Sequence, residues 1–567
     1  MSADAAEPRR GALAGVRVFF ERRALVMLAL GFASGLPNLL IFDTLSLWLR
    51  DAGLSLSVIS VFALATLAYS MKFLWAPLVD RTRVPLLTRW LGHRRSWMIA
   101  TQLLVMLGLW LISGTNPAAS LGLMAAFAVF VGFTAATQDI VIDAWRIEAA
   151  AVEKQGAMAA AYQWGYRIAM ITAGAAPLVL ADQFNWNVSY AAMAALMAVG
   201  VGGALAAPKE KEHVIRPIHA EGTPSRPAVE IPEWLARLAL FATGALVLGS
   251  GLAANASLLA SALKGLGLPG AAEGLTALWE AKPQGVYAQL AAVIAGLGVI
   301  VLAACPIPGV RTRPGVYLSA ALGEPLRDFF VRYRGVAALI LALICVYRLS
   351  DFVLNIMNPF YADLGFTKTE IAEVRKVFGV VMTVVGVGLG GWAVAQLGLM
   401  RALVVGAFAG PLSNLVFAWL AMQGADLPAL FIAIGVDNVA SGFSGTCLIA
   451  YMSSLTSAGF TATQYALFSS LYALPGKLIA SQSGRIVESS AAGADAGGAF
   501  ASLKAFFAGL PPEAYAEGAA KSAVTPAALG AGYVVFFLYS ALIGVAAIVL
   551  AFVVAARQPK PATAAET

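Results

Sequence analysis

The chain has 567 residues, of which 60% are hydrophobic and only 12% are charged, and its mean hydropathy is +0.78. Soluble domains carry about 25% charged residues, so this composition excludes a soluble enzyme, a disordered protein and a collagen-like fibre. Three cysteines scattered through apolar sequence exclude a disulfide framework or a zinc ribbon, and the three histidines lack ligand spacing. The net charge of +7 could suit nucleic acid, so the basic residues have to be located first.

The predicted elements are membrane-spanning helices. A helix needs about 20 apolar residues to cross a hydrocarbon core of about 30 Å, and uncharged stretches of that length recur along the chain. Their charged boundaries and turn residues predict fourteen spans, at 24–49, 54–78, 96–113, 118–143, 156–181, 187–207, 236–262, 284–306, 335–361, 369–396, 400–423, 428–455, 462–485 and 529–556. The alternating segments of a transmembrane barrel are missing. We interpret the first stretch as a retained helix and not as a signal peptide.

The basic residues are concentrated on one side of this predicted topology. Five arginines lie in each of three segments, the tail before the first span, the stretch 79–95 after the second span, and 307–334. By the positive-inside rule these segments face the cytoplasm, and both termini do as well. This distribution accounts for the net charge, so we expect a lipid bilayer and no nucleic acid as partner.

A short repeat indicates two related halves. Residues 51–59 (DAGLSLSVI) and 363–371 (DLGFTKTEI) share the pattern D-x-G-[LF]-[ST]-x-[ST]-x-I, and each follows the first span of a six-span block. We expect Gly53 and Gly365 to adopt positive φ, and Ser55 or Ser57 and Thr367 or Thr369 to cap the next helix. The alternative is a chance similarity of small loop residues. The repeat predicts an all-α polytopic protein of the major facilitator type, with two six-helix bundles.

The spans also predict the domain boundaries. The predicted segments are a cytoplasmic tail 1–23, a first bundle 24–207, a polar linker 208–235, an inserted transmembrane hairpin 236–306, a cytoplasmic amphipathic segment 307–334, a second bundle 335–556 with an outer loop 486–528, and a tail 557–567. The hairpin carries no central charge, so we expect it to pack on the periphery of the bundles.

Ionisable residues inside the spans are the candidate functional groups. Such a group costs at least about 2.5 kcal/mol at bilayer depth, so it normally faces a bundle interior or water. The candidates for carrying a proton are Asp351, Asp437 and Asp43, and the cations that would attract an anionic solute are Arg167, Arg348 and Lys376. Arg348 and Asp351 are three residues apart and therefore share a helix face. The alternative is that these charges form ion pairs that lock helices together.

Enzymatic signatures are missing from the sequence. No P-loop, no H-E-x-x-H motif and no Ser/His/Asp set is present. Asp139 and Asp143 lie four residues apart on one helix, whereas an intramembrane aspartyl protease needs paired carboxylates on different spans. We therefore predict no enzyme, no catalytic residue, no metal site and no cofactor. Aromatic residues in the same spans, including Tyr166 and Tyr347, could stack on sugar rings, although most would serve in packing.

Several motifs together resemble the AmpG-type muropeptide permeases. They are GFASGLP at 31–37, KFLWAPLVDR at 72–81, GHRRSW at 92–97, TQDIVIDAW at 137–145, GYR at 165–167, PLRDFF at 325–330, YRLSD at 347–351 and FTATQYAL at 460–467. The resemblance covers spans one to six and residues 316–485. It implies a monomeric, proton-coupled importer of the major facilitator superfamily. Such an importer would bring anhydro-muropeptides across the bacterial inner membrane for peptidoglycan recycling.

The resemblance also implies residue roles. The superfamily uses the loop between its second and third helices as a cytoplasmic latch. The gating candidates in this loop region are Asp80, Arg81, Arg94 and Arg95, and two carboxylates of span four, Asp139 and Asp143, are further candidates. The substrate-binding candidates are Arg167, Arg348, Lys376, Tyr166, Tyr347, Gln138, Gln464 and Lys72.

The chain departs from the family pattern at a few positions. Arg348 replaces a Lys, Asp437 replaces a Glu, and Asp43 does not match a family residue, while the hairpin and the outer loop are unusual. Two further hypotheses stay open. One is a facilitator for another large anion such as an acyl-CoA, since organellar acetyl-CoA transporters resemble this family distantly. The other is a sensor or scaffold that does not transport.

Overall fold

A computed structural model describes most of the chain. The described residues are 18–53, 69, 71–117, 119–209, 226–252, 255–281, 284–352, 354–367, 370–371, 373–480 and 483–558. Within these ranges every regular element is helical. The fold is therefore all-α, as predicted.

The amino-terminal half starts at a short 3-10 turn, Val18–Phe20, and ends before the polar linker. Its first helix continues through a π turn, Leu40–Thr44, and further 3-10 turns lie at Lys72–Leu74 and Val152–Lys154. The α-helices of this half are α1 (Arg22–Leu39), α2 (Leu45–Asp51), α3 (Ala76–Arg81), α4 (Leu87–Leu91), α5 (His93–Ser113), α6 (Leu121–Ala149), α7 (Gln155–Gln183), α8 (Trp186–Leu196) and α9 (Ala198–Ala206).

The remaining helices form the hairpin, a surface helix and the carboxyl-terminal half. They are α10 (Pro227–Leu252), α11 (Ser257–Gly265), α12 (Pro269–Glu280), α13 (Gln284–Ala304), α14 (Arg313–Arg332), α15 (Ala337–Val346), α16 (Leu349–Phe352), α17 (Met357–Leu364), α18 (Gly379–Leu397), α19 (Leu399–Ala421), α20 (Leu427–Ser454), α21 (Thr461–Ala480), α22 (Ser483–Asp495), α23 (Ala516–Ser522) and α24 (Pro526–Arg557). A π turn, Glu373–Phe378, precedes α18, and 3-10 turns lie at Leu354–Ile356 and Ala501–Phe507.

Ten helices in the described ranges are long and apolar enough to cross a membrane. Helix α14 and the following segment Ala337–Asp351 qualify together as an eleventh candidate, although they are bent by 108° relative to each other. The predicted number of fourteen is therefore not confirmed. Most of the predicted second span, residues 54–68, lies outside the described residues. Helix α1, at the predicted first span, and helix α21, at the predicted thirteenth span 462–485, are not among the ten.

Glycines explain why α1 and α7 pack with their backbones in contact. A Cβ added to Gly31 would lie 2.1 Å from the carbonyl oxygen of Tyr162, and one added to Gly165 would lie 1.9 Å from that of Leu28. Only glycine permits such an approach, which is how membrane helices pack without a hydrophobic driving force. Both glycines belong to motifs recognised in the sequence. The close contact fixes the α1 and α7 side chains that form the site described below.

The two halves meet mainly through α7 with α18 and through α21 with α3 and α6. Trp164 on α7 donates from its indole nitrogen to the carbonyl oxygen of Val384 at 2.9 Å. Gln163 donates to the hydroxyl of Thr446 on α20 at 2.9 Å. We call the end of the molecule that carries residues 82–92, 307–336 and 455–460 the basic face. These cross-half contacts bring polar side chains of both halves toward one another.

The hairpin and the outer loop pack on different halves. Helices α10 and α13 approach closely at Gly296, where an added Cβ would lie 2.4 Å from the backbone nitrogen of Leu248. The hairpin forms an apolar cluster with Met71, which precedes α3. On the opposite end, Tyr515 of the outer loop donates to the carbonyl oxygen of Ala421 at 2.7 Å. The domain boundaries read from the sequence remain proposals.

The repeated loop has the expected backbone conformation at its glycines. Gly53 has a φ of 81° and Gly365 a φ of 105°. In the second copy the hydroxyl of Thr367 accepts from the backbone N–H of Glu370 at 3.3 Å, as in a helix cap. Hydrogen bonds from the backbone and hydroxyl of Thr367 in turn lower the pKa of the exposed Glu370 carboxyl. Ser55, Ser57 and Thr369 lie outside the described residues.

Candidate functional site

A buried carboxylate on α6 forms the centre of the polar site in the amino-terminal half. Asp139 accepts a hydrogen bond from the hydroxyl of Ser34 on α1, and that hydroxyl also contacts the Tyr162 hydroxyl at 2.6 Å. Asp139 lies ten residues before the end of α6, so it is about 15 Å from the helix terminus at the basic face. Among the described residues no cation lies within ion-pair distance of Asp139. Asp139 is therefore a buried carboxylate whose described hydrogen bond comes from the Ser34 hydroxyl.

One turn nearer the basic face, Asp143 joins two cations. Its carboxylate lies 3.8 Å from the Lys72 ammonium and 3.2 Å from the Arg146 guanidinium. Lys72 also interacts electrostatically with Asp139. Because Asp139 and Asp143 lie on one face of α6, a single lysine is within electrostatic reach of both carboxylates. This arrangement allows the Lys72 charge to be shared between them.

Aromatic hydroxyls extend this polar group along α7. The side-chain amide of Asn38 donates to the Tyr166 hydroxyl at 2.6 Å. Tyr166 is half-buried and its ring lies 6.2 Å from that of Tyr162. Next to it, Arg167 makes only a 4.0 Å contact with the sulfur of Met170 among the described hydrogen bonds. These residues provide rings, hydroxyls and a cation at the depth of Asp139.

The carboxyl-terminal half contributes a hydrogen-bonded ion pair. Arg348 contacts the Asp351 carboxylate through two nitrogens, at 2.8 and 2.9 Å, and donates to the Ser441 hydroxyl at 2.6 Å. Arg348 lies at the break between α15 and α16, where the helix interruption permits its side chain to turn. The predicted pairing on one helix face is thus present. The interaction of Arg348 with Arg167 of the other half is repulsive, so an anion between them would be attracted by both.

Two glycines on neighbouring helices provide the space that the Arg348–Asp351 ion pair occupies. A Cβ added to Gly410 would lie 2.7 Å from Asp351 Oδ1 and 2.7 Å from the Ser350 hydroxyl. A Cβ added to Gly445 would lie 3.0 Å from an Arg348 nitrogen. Neighbouring helices α19 and α20 therefore present glycine to the pair. The sequence offered no signal for this role, since glycines are frequent throughout the spans.

Asp437 provides a second acidic group in the carboxyl-terminal half. It accepts from the Ser413 hydroxyl at 3.3 Å and interacts electrostatically with both Asp351 and Arg348. The adjacent Asn438 accepts from the Thr383 hydroxyl at 2.8 Å, which joins α20 to α18. Asp437 thus belongs to the same polar group as the ion pair.

A buried latch connects the halves at the basic face. The Asp80 carboxylate pairs with Arg94 at 2.7 Å, and Arg94 also pairs with Glu148 at 2.6 Å. Asp80 further accepts from the backbone N–H of Thr463 at 2.8 Å and from that of Ala462 at 3.2 Å. These N–H groups belong to the first turn of α21, where the helix dipole stabilises an anion. The carboxylate therefore joins one half to the other.

The remaining gating candidates have different positions. Arg81 pairs with Glu324 of α14 at 2.8 Å, next to the latch. Arg95 donates instead to the carbonyl oxygens of Ala204 and Leu205, so it caps α9 and does not bridge the halves. Asp139 and Asp143 were grouped with the gate in the sequence analysis, but both lie deeper than Asp80. Helix rise places Asp143 about 8 Å and Asp139 about 14 Å further into α6 than Glu148. We call the group formed by Lys72, Asp139, Asp143, Tyr166, Arg167, Arg348, Asp351 and Asp437 the polar layer.

Several predicted substrate-binding residues are buried in packing or in networks. Tyr347 is buried and donates to the carbonyl oxygen of Leu403 at 2.7 Å, which places it between helices and not among the groups of the polar layer. Gln464 donates to the Pro325 carbonyl oxygen at 2.8 Å and to Asp328 at 3.0 Å, so it anchors α14 to α21. Both side chains are buried in this structure, and their role in substrate binding stays a prediction.

The three remaining candidates, Gln138, Asp43 and Lys376, differ in their surroundings. Gln138 is fully buried and its amide atoms have no hydrogen-bond partner among the described residues. Asp43 is exposed on the π turn after α1. Lys376 lies on the π turn before α18, and its side chain is outside the described part of the structure.

The sequence analysis missed some residues that complete these networks. Arg146 donates to the Ser453 hydroxyl across the halves at 2.8 Å and lies 5.1 Å from the Tyr465 ring centre. Glu148 completes the latch through Arg94. Both lie beyond the end of the predicted span 118–143, so a search for charges inside the spans did not include them. Among the described residues no group of three or more potential metal ligands is present.

The comparisons with known proteins agree with this architecture. The family described as Major Facilitator Superfamily matches residues 84–479, and the one described as Acetyl-coenzyme A transporter 1 matches residues 23–121. The putative transporter AmpG 4 of Rickettsia felis is 30% identical over 474 residues, covering 83% of this chain and 91% of that protein.

A second relative and a solved structure extend these similarities. The anhydromuropeptide permease of Escherichia coli K12 is 29% identical over 476 residues, covering 83% of this chain and 76% of that protein. The structure of the major facilitator superfamily proton:xylose symporter XylE is similar in fold, with a TM-score of 0.51, 11% identity and 96% of each chain covered.

Proposed function

This chain belongs to the major facilitator superfamily and, within it, to the AmpG-type transporters, and from this premise we propose that it imports anhydro-muropeptides by alternating access. The observation that carries the proposal is the polar layer formed by both halves, with Arg348 in one half and Arg167 in the other. A muropeptide combines amino sugars with a short peptide that bears several carboxylates. Guanidinium groups, hydroxyls and aromatic rings suit such a ligand.

The charged loops and the latch support the orientation that this import proposal requires. Under the positive-inside rule the basic face is cytoplasmic, which also assigns both termini to the cytoplasm of a bacterium. The described hydrogen bonds between the halves, including those of Asp80 and Arg146, lie in the part of the molecule nearer this face. The structure then corresponds to the state closed on the cytoplasmic side. Rocking of the two halves would open that side and release the substrate for recycling.

We propose that the Arg348–Asp351 pair couples proton binding to substrate binding. In the absence of substrate the Arg348 guanidinium is the ion-pair partner of Asp351. A substrate carboxylate that engages Arg348 would remove that partner, and Asp351 would then bind a proton. Asp139 is a second candidate, because it can share Lys72 with Asp143. Coupling would follow because proton and anionic substrate occupy the site together.

The test is uptake of a radiolabelled anhydro-disaccharide tetrapeptide by proteoliposomes. We expect accumulation with an inward proton gradient and only equilibration without it. Empty liposomes and an uncoupler provide the controls. Uptake that does not respond to the gradient would remove proton coupling from the proposal while leaving transport. A folded protein that shows no uptake of any candidate solute would favour the sensor or scaffold hypothesis.

A second candidate substrate is an acyl-CoA or a nucleotide-like anion. The match of residues 23–121 to the family described as Acetyl-coenzyme A transporter 1 favours it. The phosphates of a CoA moiety would contact the same cations. Competition distinguishes the two substrates. Excess unlabelled muropeptide should abolish uptake of the labelled muropeptide, and acetyl-CoA at the same concentration should leave it unchanged. Uptake of labelled acetyl-CoA that excess muropeptide does not reduce, together with no uptake of labelled muropeptide, would assign the acyl-CoA substrate. We propose a monomer without enzymatic activity.

A further inference from the structure

An apolar crevice of about 560 Å³ lies between the two halves. The amino-terminal half lines it with Phe19, Leu25 and Trp164, and the carboxyl-terminal half lines it with Leu389 and Trp392. All lining residues are hydrophobic or glycine. The volume is within the range of about 300–1,000 Å³ of small-molecule sites. The crevice is separate from the polar layer, since none of the charged residues of that layer lines it.

The crevice is built by aromatic rings and small residues. The Phe19 ring stacks on Trp164 with a centroid distance of 5.1 Å. A Cβ added to Gly391 would lie 3.2 Å from Phe19 Cζ, and one added to Gly388 would lie 3.1 Å from Trp164 Cζ2. Trp164 is oriented by its hydrogen bond to the carbonyl oxygen of Val384. The amino-terminal turn therefore forms one wall, and the glycines of α18 leave the space open.

The position of the crevice identifies the molecules that can enter it. Helices α7 and α18 are both part of candidate membrane spans. Lining side chains such as Leu25 and Leu389 are 53% and 45% exposed, and at this depth their surroundings are lipid. Hydrocarbon offers no water to fill an apolar space. A lipid acyl chain is therefore the available occupant.

Basic residues lie at one end of the crevice. Arg22 and Arg23 begin α1, two to three residues before Leu25, and both are exposed. Lys154 ends the 3-10 turn before α7 and precedes Ala161 by seven residues, close to two helical turns. The rise per residue places Lys154 about 10 Å from Ala161 toward the basic face. Lys154 is 2.7 Å from Glu21, and with the neighbouring Glu153 counted this end carries three cations against two carboxylates, an excess of one positive charge.

We propose that the crevice binds one acyl chain of an anionic phospholipid from the leaflet at the basic face, with its phosphate near Arg23. Attraction of anionic headgroups by basic residues at the membrane surface contributes about 1 kcal/mol per residue. Both halves form the crevice, so a bound lipid stabilises the arrangement in which they are closed at the basic face. Binding does not depend on the identity of the transported solute.

The test is lipid retention by purified protein in mild detergent, measured by native mass spectrometry. Phosphatidylglycerol and phosphatidylcholine with identical chains are compared. Leu25→Trp fills the crevice, and Leu412→Trp is the matched control, because Leu412 is 56% exposed on α19 and does not line the crevice. We expect one retained phosphatidylglycerol in the wild type and in Leu412→Trp, and at least fivefold less in Leu25→Trp. Arg23→Gln should reduce the preference for phosphatidylglycerol over phosphatidylcholine.

Other outcomes overturn the inference. Equal retention in Leu25→Trp and Leu412→Trp would show that the lipid binds elsewhere. Equal retention of both lipids by the wild type would remove the anionic headgroup from the proposal. If Leu25→Trp does not fold, Leu389→Trp fills the crevice from the opposite half and is compared with the same control. Detergent bound in place of lipid, with no phospholipid retained by the wild type, would also contradict it.

Discussion

The carboxylate of Asp80, in the amino-terminal half, accepts hydrogen bonds from both the backbone N–H and the hydroxyl of Thr463 in the carboxyl-terminal half, at 2.8 and 2.7 Å. Asp80 also pairs with the buried guanidinium of Arg94 on α5. One carboxylate thus joins a helix cation of one half to a helix start of the other. We expect the contact at the basic face to depend on this charge.

Asp80→Asn should loosen the contact at the basic face. Neutralisation weakens hydrogen bonds to a charged group that contribute about 1.5–3 kcal/mol each, so the closed state should lose population at least several-fold. The reporter is Ala466→Cys in a background without the native cysteines, because Ala466 is fully buried against residues of the amino-terminal half. Maleimide labelling should become several-fold faster. Glu153→Gln, at an exposed acid, is the control. Equal labelling rates would contradict this role.

Asp351→Asn should abolish accumulation without preventing folding. The variant keeps the side-chain shape but cannot be ionised, so Arg348 no longer has a titratable partner. We expect loss of gradient-driven uptake, with substrate exchange between internal and external pools retained. Proteoliposome uptake and counterflow measure the two activities. Normal accumulation by this variant would exclude Asp351 as the coupling group.

Asp139→Asn and Asp143→Asn should differ in their effect on stability. Asp143 pairs with Lys72 and Arg146, and loss of one partner from a buried pair costs about 3–5 kcal/mol. Asp139 accepts its described hydrogen bond from the Ser34 hydroxyl, and the carbonyl oxygen of an asparagine side chain can accept the same bond. Thermal unfolding of purified protein should therefore show a melting temperature several degrees lower for Asp143→Asn and nearly unchanged for Asp139→Asn.

The same two variants also test whether Asp139 takes part in proton coupling. If Asp139 carries a proton, Asp139→Asn should lose gradient-driven uptake despite its unchanged stability. Gradient-driven uptake at the wild-type rate would leave Asp139 as a structural acceptor for Ser34.

Gly410→Ala should disturb the Arg348–Asp351 pair. The new methyl group would lie 2.7 Å from Asp351 Oδ1, so the carboxylate has to move away from its present position. We expect at least tenfold lower uptake, measured in proteoliposomes. Gly202→Ala is the matched control, since an added Cβ there has no atom within 4 Å. Equal uptake by the two variants would show that the pair tolerates displacement.

Tyr347→Phe should leave substrate affinity unchanged. The Tyr347 hydroxyl is buried and bonded to the Leu403 carbonyl oxygen, and loss of such a bond costs about 0.5–1.5 kcal/mol of stability. The apparent KM for uptake and the melting temperature distinguish packing from binding. A large rise in KM with unchanged stability would return Tyr347 to the substrate site.

Hydropathy and charge in the sequence alone determined that the chain is an all-α membrane protein and which residues are candidates for function. These properties are local, because a span requires a continuous apolar stretch and a charge within it is costly wherever the helix packs. The motifs also indicated the family. The spacing on one helix was enough to predict the pairing of Arg348 with Asp351, since residues three apart share a helix face.

Only the tertiary structure decided which of these charges meet. Asp80 contacts Thr463, 383 residues away, and the proximity of Arg167 and Arg348 depends on how the halves dock. Tyr347 and Gln464 are buried because of neighbouring helices, which no spacing along their own helix reveals. The roles of Gly410 and Gly445 could not be predicted from the sequence either. Their importance arises from side chains on other helices, because packing at ångström distances depends on the register and orientation of several segments together.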